Sequence, residues 1–575
     1  MSKETMEITL ICGGRDCSGQ ILGVTVTREL GRIPFMSVSL KPEDGGKASA
    51  FKQGADVELK AGPGGKVQSV FKGVLTGMAL SRRGSETLLE LEVRDEAYVL
   101  AQGQNTTLFL NKNDSDICRE IISRAGLTAD IPGALFSHKQ MQQIMTSDWD
   151  FILSRLWANA MVASVRDGKI TAEKAENLGS NIGLELDAER DVLLELEVRQ
   201  DARAWLGAVT VRSWDESSQI ERRKKVRDTM PKLAGGAEGN GEATQELLLA
   251  HRVEPDELEG LGTGLLWRAR HGFVHGRVRL SGMVDAQPGD GLRLKNISEL
   301  ADGESVIWGS RLELRSGDCT HELQFGYDFF DRLCEGLGQT GKNGLSGWLS
   351  GDLPHVSGLF PGKVLRISGD PEEGERIQVH IPLLHEEDKG VWARWAAPYA
   401  GDGYAMVFRP EKGNEVLVGF LGGDPRAPVI LGALPSRAAL TPKPLRAESE
   451  KNSPKGWVSK SGLTLLLNEE HKSVTIETPG GQSLVIDDKI GSIVLKDKNS
   501  NTVTLDKNGI ALKSGKDLIL EAKGNVSIKA TQNFNAEGLD ASIQGKKAIK
   551  LGGTAMAELT AGGPLRIKGG LVTIN

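Results

Sequence analysis

From residue 473 onward the chain is a run of short apolar-x-apolar triplets separated by Gly, Lys, Asn and Asp. The triplets begin at Val474, Leu484, Ile493, Val503, Ile510, Leu518 and Val526, and a lone Phe534 follows. Their spacing starts at nine or ten residues and settles to eight over the last four. One such period holds one short strand and one turn, with two apolar side chains on the same face because strand side chains alternate. A strand that short cannot bury its face alone, so copies must stack, which marks a repeat architecture. Phe534 is the only aromatic residue between Leu463 and Asn575. A single-chain β-helix needs a larger filled interior, whereas three chains wound about one axis need only small aliphatics. The expectation is an intertwined trimeric β-helix needle over residues 463–575.

A length of 575 residues suggests three or four domains, and 39% hydrophobic residues suffices for ordinary cores. No apolar run reaches the roughly 18 residues of a membrane span. The start, MSKETMEITL, lacks the basic region and apolar core of a secretory signal. Assembly in the cytoplasm is therefore expected, with any later export through a route other than general secretion. Five cysteines, Cys12, Cys17, Cys118, Cys319 and Cys334, form no disulfide framework and read as thiols. A net charge of -7 with both signs interspersed offers no chain-wide attraction for nucleic acid or anionic lipid.

Residues 7–100 read as short strands with glycine-rich turns, a small barrel. The stretch NDSDICREIISRAGL then has a helical signature over 114–125, with Asp114 or Ser115 as N-cap and Gly126 as the stop. SDWDFILSRLWANA is a second helix with Ser147 as its cap. Strand patterns return at 161–170, 192–198 and 208–214. After a glycine-rich break at 234–241 they resume through 276–325. Two barrels with a helical insertion is the resulting reading of this part.

Three motifs invite chemistry. GLGQTGKN at 336–343 matches the phosphate-binding G-x-x-x-x-G-K, but Asn343 stands where the metal-binding Ser or Thr is needed, and no helix opens after it. His271 and His275 in RHGFVHGRVRL fall in an expected strand, where an i, i+4 pair is about 13 Å apart and cannot share a metal. His385, Glu386, Glu387 and Asp388 crowd carboxylates beside an imidazole, and they read as a solvated loop. Cys12 and Cys17 read as surface or core residues in β-structure rather than as ligands. No catalytic, cofactor-binding or metal residue is assigned. The basic run 222–227 (RRKKVR), flanked by Glu221 and Asp228, reads as a solvated face or a subunit contact.

The string DWDFILSRLWANAMVASVRDGKI resembles the helix-to-strand segment of VgrG proteins, the trimeric spikes of type VI secretion and related contractile machines. A longer string over 376–432, ending EVLVGFLGGDPRAPVILG, is similar to the oligonucleotide/oligosaccharide-binding (OB) domain of those spikes. NSPKGWVSKSG at 452–462 and the terminal MAELTAGGPLRIKGGLVTIN add two further resemblances. The implied fold is mainly β: a phage-hub-like base of two barrels over 1–345, an OB neck over 346–434, a proline-punctuated linker over 435–462 and the needle over 463–575. The 29 residues from Leu434 to Gly462 leave no room for the lysozyme domain that a related phage spike carries there.

The resemblance implies a homotrimer seated on a hexameric tube with its baseplate hub, carrying a PAAR-like tip protein and effector cargo and meeting the target membrane mechanically. An OB fold also suggests nucleic acid. From residue 355 to 435, however, eight Lys plus Arg face eleven Asp plus Glu, where a backbone-tracking groove is basic. The aromatics Trp392, Trp395, Tyr399, Tyr404, Phe408 and Phe420 mostly follow strand alternation and read as core. The rival readings are a spike with its own glycan-hydrolase activity and a phage-type receptor-binding fibre. Val572 and Ile574 continue the inward alternation to the end, so Leu571, Val572, Thr573, Ile574 and Asn575 are expected to form the platform that binds the tip cap.

Overall fold

The computed structural model describes residues 6–41, 51–64, 66–84, 86–134, 136–202, 205–228, 243–315, 318–327, 355–385, 389–447 and 449–574. The break at 234–241, the motif at 336–343, Cys334, Glu386, Glu387, Asp388 and Asn575 lie outside the described residues. Two compact units emerge, Met1–Ser436 and Arg437–Asn575.

The first unit is built on a sheet of 13 strands. Its N-terminal lobe comprises Met6–Cys12, Ile21–Glu29, Phe35–Leu40, Asp56–Pro63, Gln68–Arg83 and Glu86–Arg94, each close to where alternation puts it. Along Ile21–Glu29, Val24 and Val26 point inward to meet Met36, Val38 and Leu40 of the next strand, all at most 2% exposed. The second lobe, with Leu193–Gln200, Val274–Ser281, Gly303–Arg315 and Asp318–Phe325, joins the first through the antiparallel pairing of Val26 with Leu312. The two β lobes thus share one continuous sheet, and Leu312 and Leu314 pack into the first lobe's core.

Among the described residues, three α-helices sit between these strands. α1 (Asp114–Arg124) is capped by Asn113, whose side chain accepts from the Asp116 amide at 2.8 Å. This corrects the expected cap: Asp114 is the first helical residue, and its carboxylate is buried. α2 (Asp148–Ala158) has the expected cap, with the Ser147 hydroxyl accepting from the Asp150 amide and donating to the Asp150 carboxylate. α3 (Pro255–Phe273) was not legible as a helix, because Gly260, Gly262 and Gly264 interrupt it and glycine costs about 1 kcal/mol per helical position. Close packing explains them. A Cβ on Gly260 would lie 2.3 Å from the Ala158 carbonyl, and one on Gly264 3.0 Å from that of Trp157, so α3 crosses the C-terminal end of α2 backbone to backbone. Leu258, Leu261 and Leu265 of α3 then cover Val209 and Val211.

The neck is a closed barrel of Phe360–Arg366, Ile377–His380, Val391–Trp395, Pro428–Ala433 and Glu415–Phe420. Val364, Ile377, Val379, Val391, Val416 and Val418 fill it, at no more than 1% exposure. Its turn Leu421–Gly423 uses left-handed backbone at Gly422 and Gly423, and any Cβ at Gly423 would fall 1.8 Å from the His355 ring.

The second unit is a sheet of seven five-residue strands, each antiparallel to the next: Pro454–Val458, Thr464–Asn468, Ser473–Glu477, Ser483–Asp487, Ser492–Lys496, Thr502–Asp506 and Gly509–Lys513. Up to Lys513 the ladder therefore closes within one chain, strand against neighbouring strand. From 514 to 574 the chain forms no strand with itself.

Candidate functional site

The meander of the second unit puts its apolar residues in register. Leu465 opposes Ile476 and Leu467 opposes Val474; next come Val474 with Ile486 and Ile476 with Leu484. The pattern repeats as Leu484 with Leu495, Ile493 with Leu505, Val503 with Leu512 and Leu505 with Ile510. Two apolar positions per strand, stacked at the strand spacing of roughly 4.8 Å, make one continuous apolar ladder on a single face. The face is open: Leu495 and Leu512 are each 52% exposed and Ile510 is 73% exposed. A groove of about 560 Å³ runs along it, lined by Ile476, Leu484, Leu495, Val503, Leu512 and Leu518.

Polar turns set this register. The Asp497 carboxylate accepts from the Asn499 and Asn501 amides at 2.9 and 2.8 Å, closing the turn between Ser492–Lys496 and Thr502–Asp506. Backbone and side-chain donors on that one carboxylate outweigh its desolvation and hold it below the usual range. Beyond Lys513 the apolar residues continue on irregular chain. Leu518, Val526 and Phe534 are about 60% exposed or more, as are Leu571 and Ile574. Of the expected cap-binding residues, Leu571, Val572, Thr573 and Ile574 form no strand within their own chain.

The motifs weighed for chemistry lie elsewhere. His271 is not on a strand: it lies in the last turn of α3, its ring centroid 4.2 Å from that of Trp267 and tilted against it, and burial, then Arg270, push its imidazole down to about 3. His275 opens the following strand, with its Nδ1 against the Gly272 carbonyl, so the two rings belong to different elements. His385 is half-buried rather than solvated, with Nδ1 accepting from the Ile381 amide and Nε2 donating to Gln142 Oε1. Burial, then His380, push that ring down to about 4. Cys12 and Cys17 are buried thiols, and burial raises Cys12 to about 11. Among the described residues no group of three His, Cys, Asp or Glu could hold a metal, and no helix is long and apolar enough to cross a membrane.

In the basic run, Arg222 pairs with Asp215, Arg223 with Glu221 and Lys224 with Glu259. The neck aromatics depart from the core reading. Trp395 and Phe420 lie against the barrel core, but Tyr399, Tyr404 and Phe408 are 55–60% exposed. They sit around the short hairpin Ala400–Gly401 with Tyr404–Ala405, outside the barrel's alternation.

Family comparisons follow this division. Residues 2–315, more than half of the chain, match the Alg8 N-terminal domain, so the base belongs to that domain family. Residues 360–434 match the type VI secretion system/phage-baseplate injector OB domain. Residues 473–539, which begin at the third stalk strand, match the phage baseplate V C-terminal trimerisation domain. The chain belongs to the VgrG-type spike family.

Among its relatives, the spike protein VgrG1b of Pseudomonas aeruginosa is 32% identical over 124 residues, 20% of this chain and 17% of that protein. VgrG1c of the same species is 32% identical over 98 residues, 16% of this chain and 14% of the relative. The actin cross-linking toxin VgrG1 of Vibrio cholerae is 33% identical over 86 residues, 14% of this chain and 8% of that protein. This VgrG-type chain thus aligns with less than a fifth of each of these relatives' length. In fold it is similar to the half-lidded Francisella PdpA-VgrG complex, with a TM-score of 0.54 and 10% identity over 89% of this chain and 88% of the other. The lidless PdpA-VgrG complex gives a TM-score of 0.52 and 10% identity over 89% and 98%.

Proposed function

We propose that this protein is the structural spike of a contractile injection machine: a homotrimer whose base, residues 1–345, sits on a hexameric tube and baseplate hub, and whose neck, linker and needle, 346–434, 435–462 and 463–575, point at the target. The observation that carries the reading is the open apolar ladder, which runs into a segment matching a trimerisation domain. Fully burying one Leu, Ile or Val side chain is worth about 1.5–3 kcal/mol. A row of such residues on six of the seven strands makes association the step that stabilises the stalk, and copies of the same chain carry the matching row. Three-chain winding then gives the strandless 514–574 segment its backbone partners.

In this reading sheath contraction supplies the work and the spike transmits it. The protein needs rigidity rather than a reaction, and turns over no glycan, nucleotide or nucleic acid. Leu571 to Asn575 form the terminal platform that takes a PAAR-like cap, and effector cargo rides with it. Assembly takes place in the cytoplasm, and the spike leaves with the machine. Mass photometry of the purified chain tests the core of this: a mass three times that of one chain is expected, and a folded monomer at micromolar concentration overturns it. Pull-down of a cap protein by full-length spike but not by a chain lacking 571–575 tests the platform.

A further inference from the structure

The contact between base and neck holds a buried ion network that nothing above assigns. Part of that contact is apolar: Ile144 and Leu108 of the base pack into the neck's barrel core. Part is amide pairing. Gln140 imitates a neighbouring strand, accepting from the Trp392 amide at 3.0 Å and donating to its carbonyl at 3.1 Å. Beside these runs the chain of charges. Arg426 of the neck grips Asp424 at 2.8 and 3.0 Å and reaches across to Glu257 on α3. Glu257 lies 3.8 Å from Arg155 on α2, and Arg155 lies 3.6 Å from Asp114 on α1. At the other end His251 Nε2 contacts Asp424 at 2.7 Å while its Nδ1 meets the Arg252 carbonyl at 2.8 Å.

These groups are out of water. The side chains of Arg155 and Asp424 are 0% exposed, those of Asp114, Glu257 and Arg426 2–6%, and that of His251 13%. Both nitrogens of His251 face acceptors, the Asp424 carboxylate and the Arg252 carbonyl. Three carboxylates thus meet two guanidiniums and two imidazoles, because His138 Nε2 also lies 2.9 Å from Asp114. Burial pushes the Asp424 carboxyl up, but the charges of Arg426 and His251 outweigh it and hold the group far below its ordinary value.

Such a network adds little to stability. Desolvating each ion costs several kcal/mol, and well-packed apolar replacements of whole buried networks are often neutral or stabilising, while removal of one partner is costly. Its geometry is another matter. An apolar contact tolerates sliding, whereas Arg426 meets Asp424 and Glu257 together in only one rotational setting of neck on base. We propose that this network is a registry key that fixes the orientation of the neck on the base, so that axial load crosses between them without a hinge. Its members come from α1, α2 and α3 of the base, from the segment that leads into α3, and from the residues just after the Gly422–Gly423 turn of the neck, which lie side by side only in the assembled unit.

The test compares two variants of the full chain. Arg426→Met leaves Asp424 and Glu257 buried without their cation and should lower the melting temperature of the first unit by several degrees. The fourfold variant His251→Phe, Glu257→Met, Asp424→Asn, Arg426→Met removes the neck half of the network together, partners with partners, keeping the acceptor that the Arg426 backbone amide uses and leaving Asp114 with Arg155 and His138. It should melt closer to wild type than Arg426→Met does. Single-particle classification should nevertheless sort its necks into more than one setting, where wild type shows one. A fourfold variant that fails to fold, or melts as low as Arg426→Met, makes the network a stabilising element and overturns the proposal. So does a fourfold variant with a single neck setting, or a wild type with several.

Discussion

The first unit and the stalk are made of the same kind of residue and solve opposite problems. In the base and neck, alternating Val, Leu and Ile close on one another: Leu91, Val379 and Val418 are 0% exposed within a single chain. In the stalk the same alternation yields a meander sheet with one apolar face open, where Leu495 and Leu512 are each 52% exposed. Regular alternation, then, specifies a strand and its face but not what covers that face. Closure takes either a second lobe from the same chain, as where Leu312 enters the first core, or more copies.

Removing the stalk breaks this comparison most severely. A chain ending at Ser436 should be monomeric at all concentrations and still melt cooperatively, since its cores need nothing beyond that residue. Sedimentation and calorimetry on the truncated chain read both properties. If it aggregates or loses its transition, the two regions are not independent in the sense argued here.

Single-residue changes probe it more finely. Leu91→Ala opens a cavity in a closed core and should cost about 2–5 kcal/mol, with a melting shift that does not depend on protein concentration. Leu484→Asp sets a charge in the ladder opposite Ile476 and Leu495. Its cost falls on association, so the melting temperature of the stalk should fall and become steeply concentration-dependent. Equal concentration dependence for the two variants would mean that the ladder is covered within one chain.

Acid separates the regions with a smaller effect. His271, His321 and His385 all lie in the first unit, and burial pushes them down to about 3, 4 and 4. A histidine with a depressed native pKa stays neutral while the unfolded chain takes up a proton near its ordinary value of about 6.5. The stability each contributes is therefore complete above about pH 6.5 and is lost as pH falls toward 4, by up to roughly 1.4 kcal/mol per pH unit per histidine. The chain ending at Ser436 should melt progressively lower across that window, and His385→Gln should flatten the slope. An unchanged slope in that variant would remove His385 from the account.

What could be read in advance follows from the range over which each feature acts. The strands of the base, the Ser147 cap and the stalk triplets up to Ile510 are local patterns, and they are where the alternation puts them. The change of triplet spacing to eight after Ile510 is just where the chain stops pairing with itself, at Lys513. α3 was hidden because its glycines make sense only against Ala158 and Trp157. Tyr399, Tyr404 and Phe408 were misplaced because a barrel pattern was extended over a hairpin that leaves the barrel. The contact between base and neck joins residues 140–155, 251–257 and 385–426, and no window of sequence contains it.

The finest comparison is between two glycine turns. Gly423 in the neck and Gly491 in the stalk both adopt left-handed backbone, with φ of +71° and +70°. Alanine at either pays the left-handed penalty of roughly 1–2 kcal/mol. At Gly491 nothing lies within 4 Å of the new Cβ, so that penalty should be the whole effect. At Gly423 the Cβ also meets the His355 ring at 1.8 Å, and the Val356 amide bonded to the Gly423 carbonyl keeps the strand from moving away. Gly423→Ala should therefore destabilise the first unit by clearly more than Gly491→Ala destabilises the stalk, and His355→Ala placed beside it should recover the difference. Equal losses at the two sites would show that the neck turn is no more tightly enclosed than a surface hairpin, and the contrast between a closed unit and an open one would fail at its smallest scale.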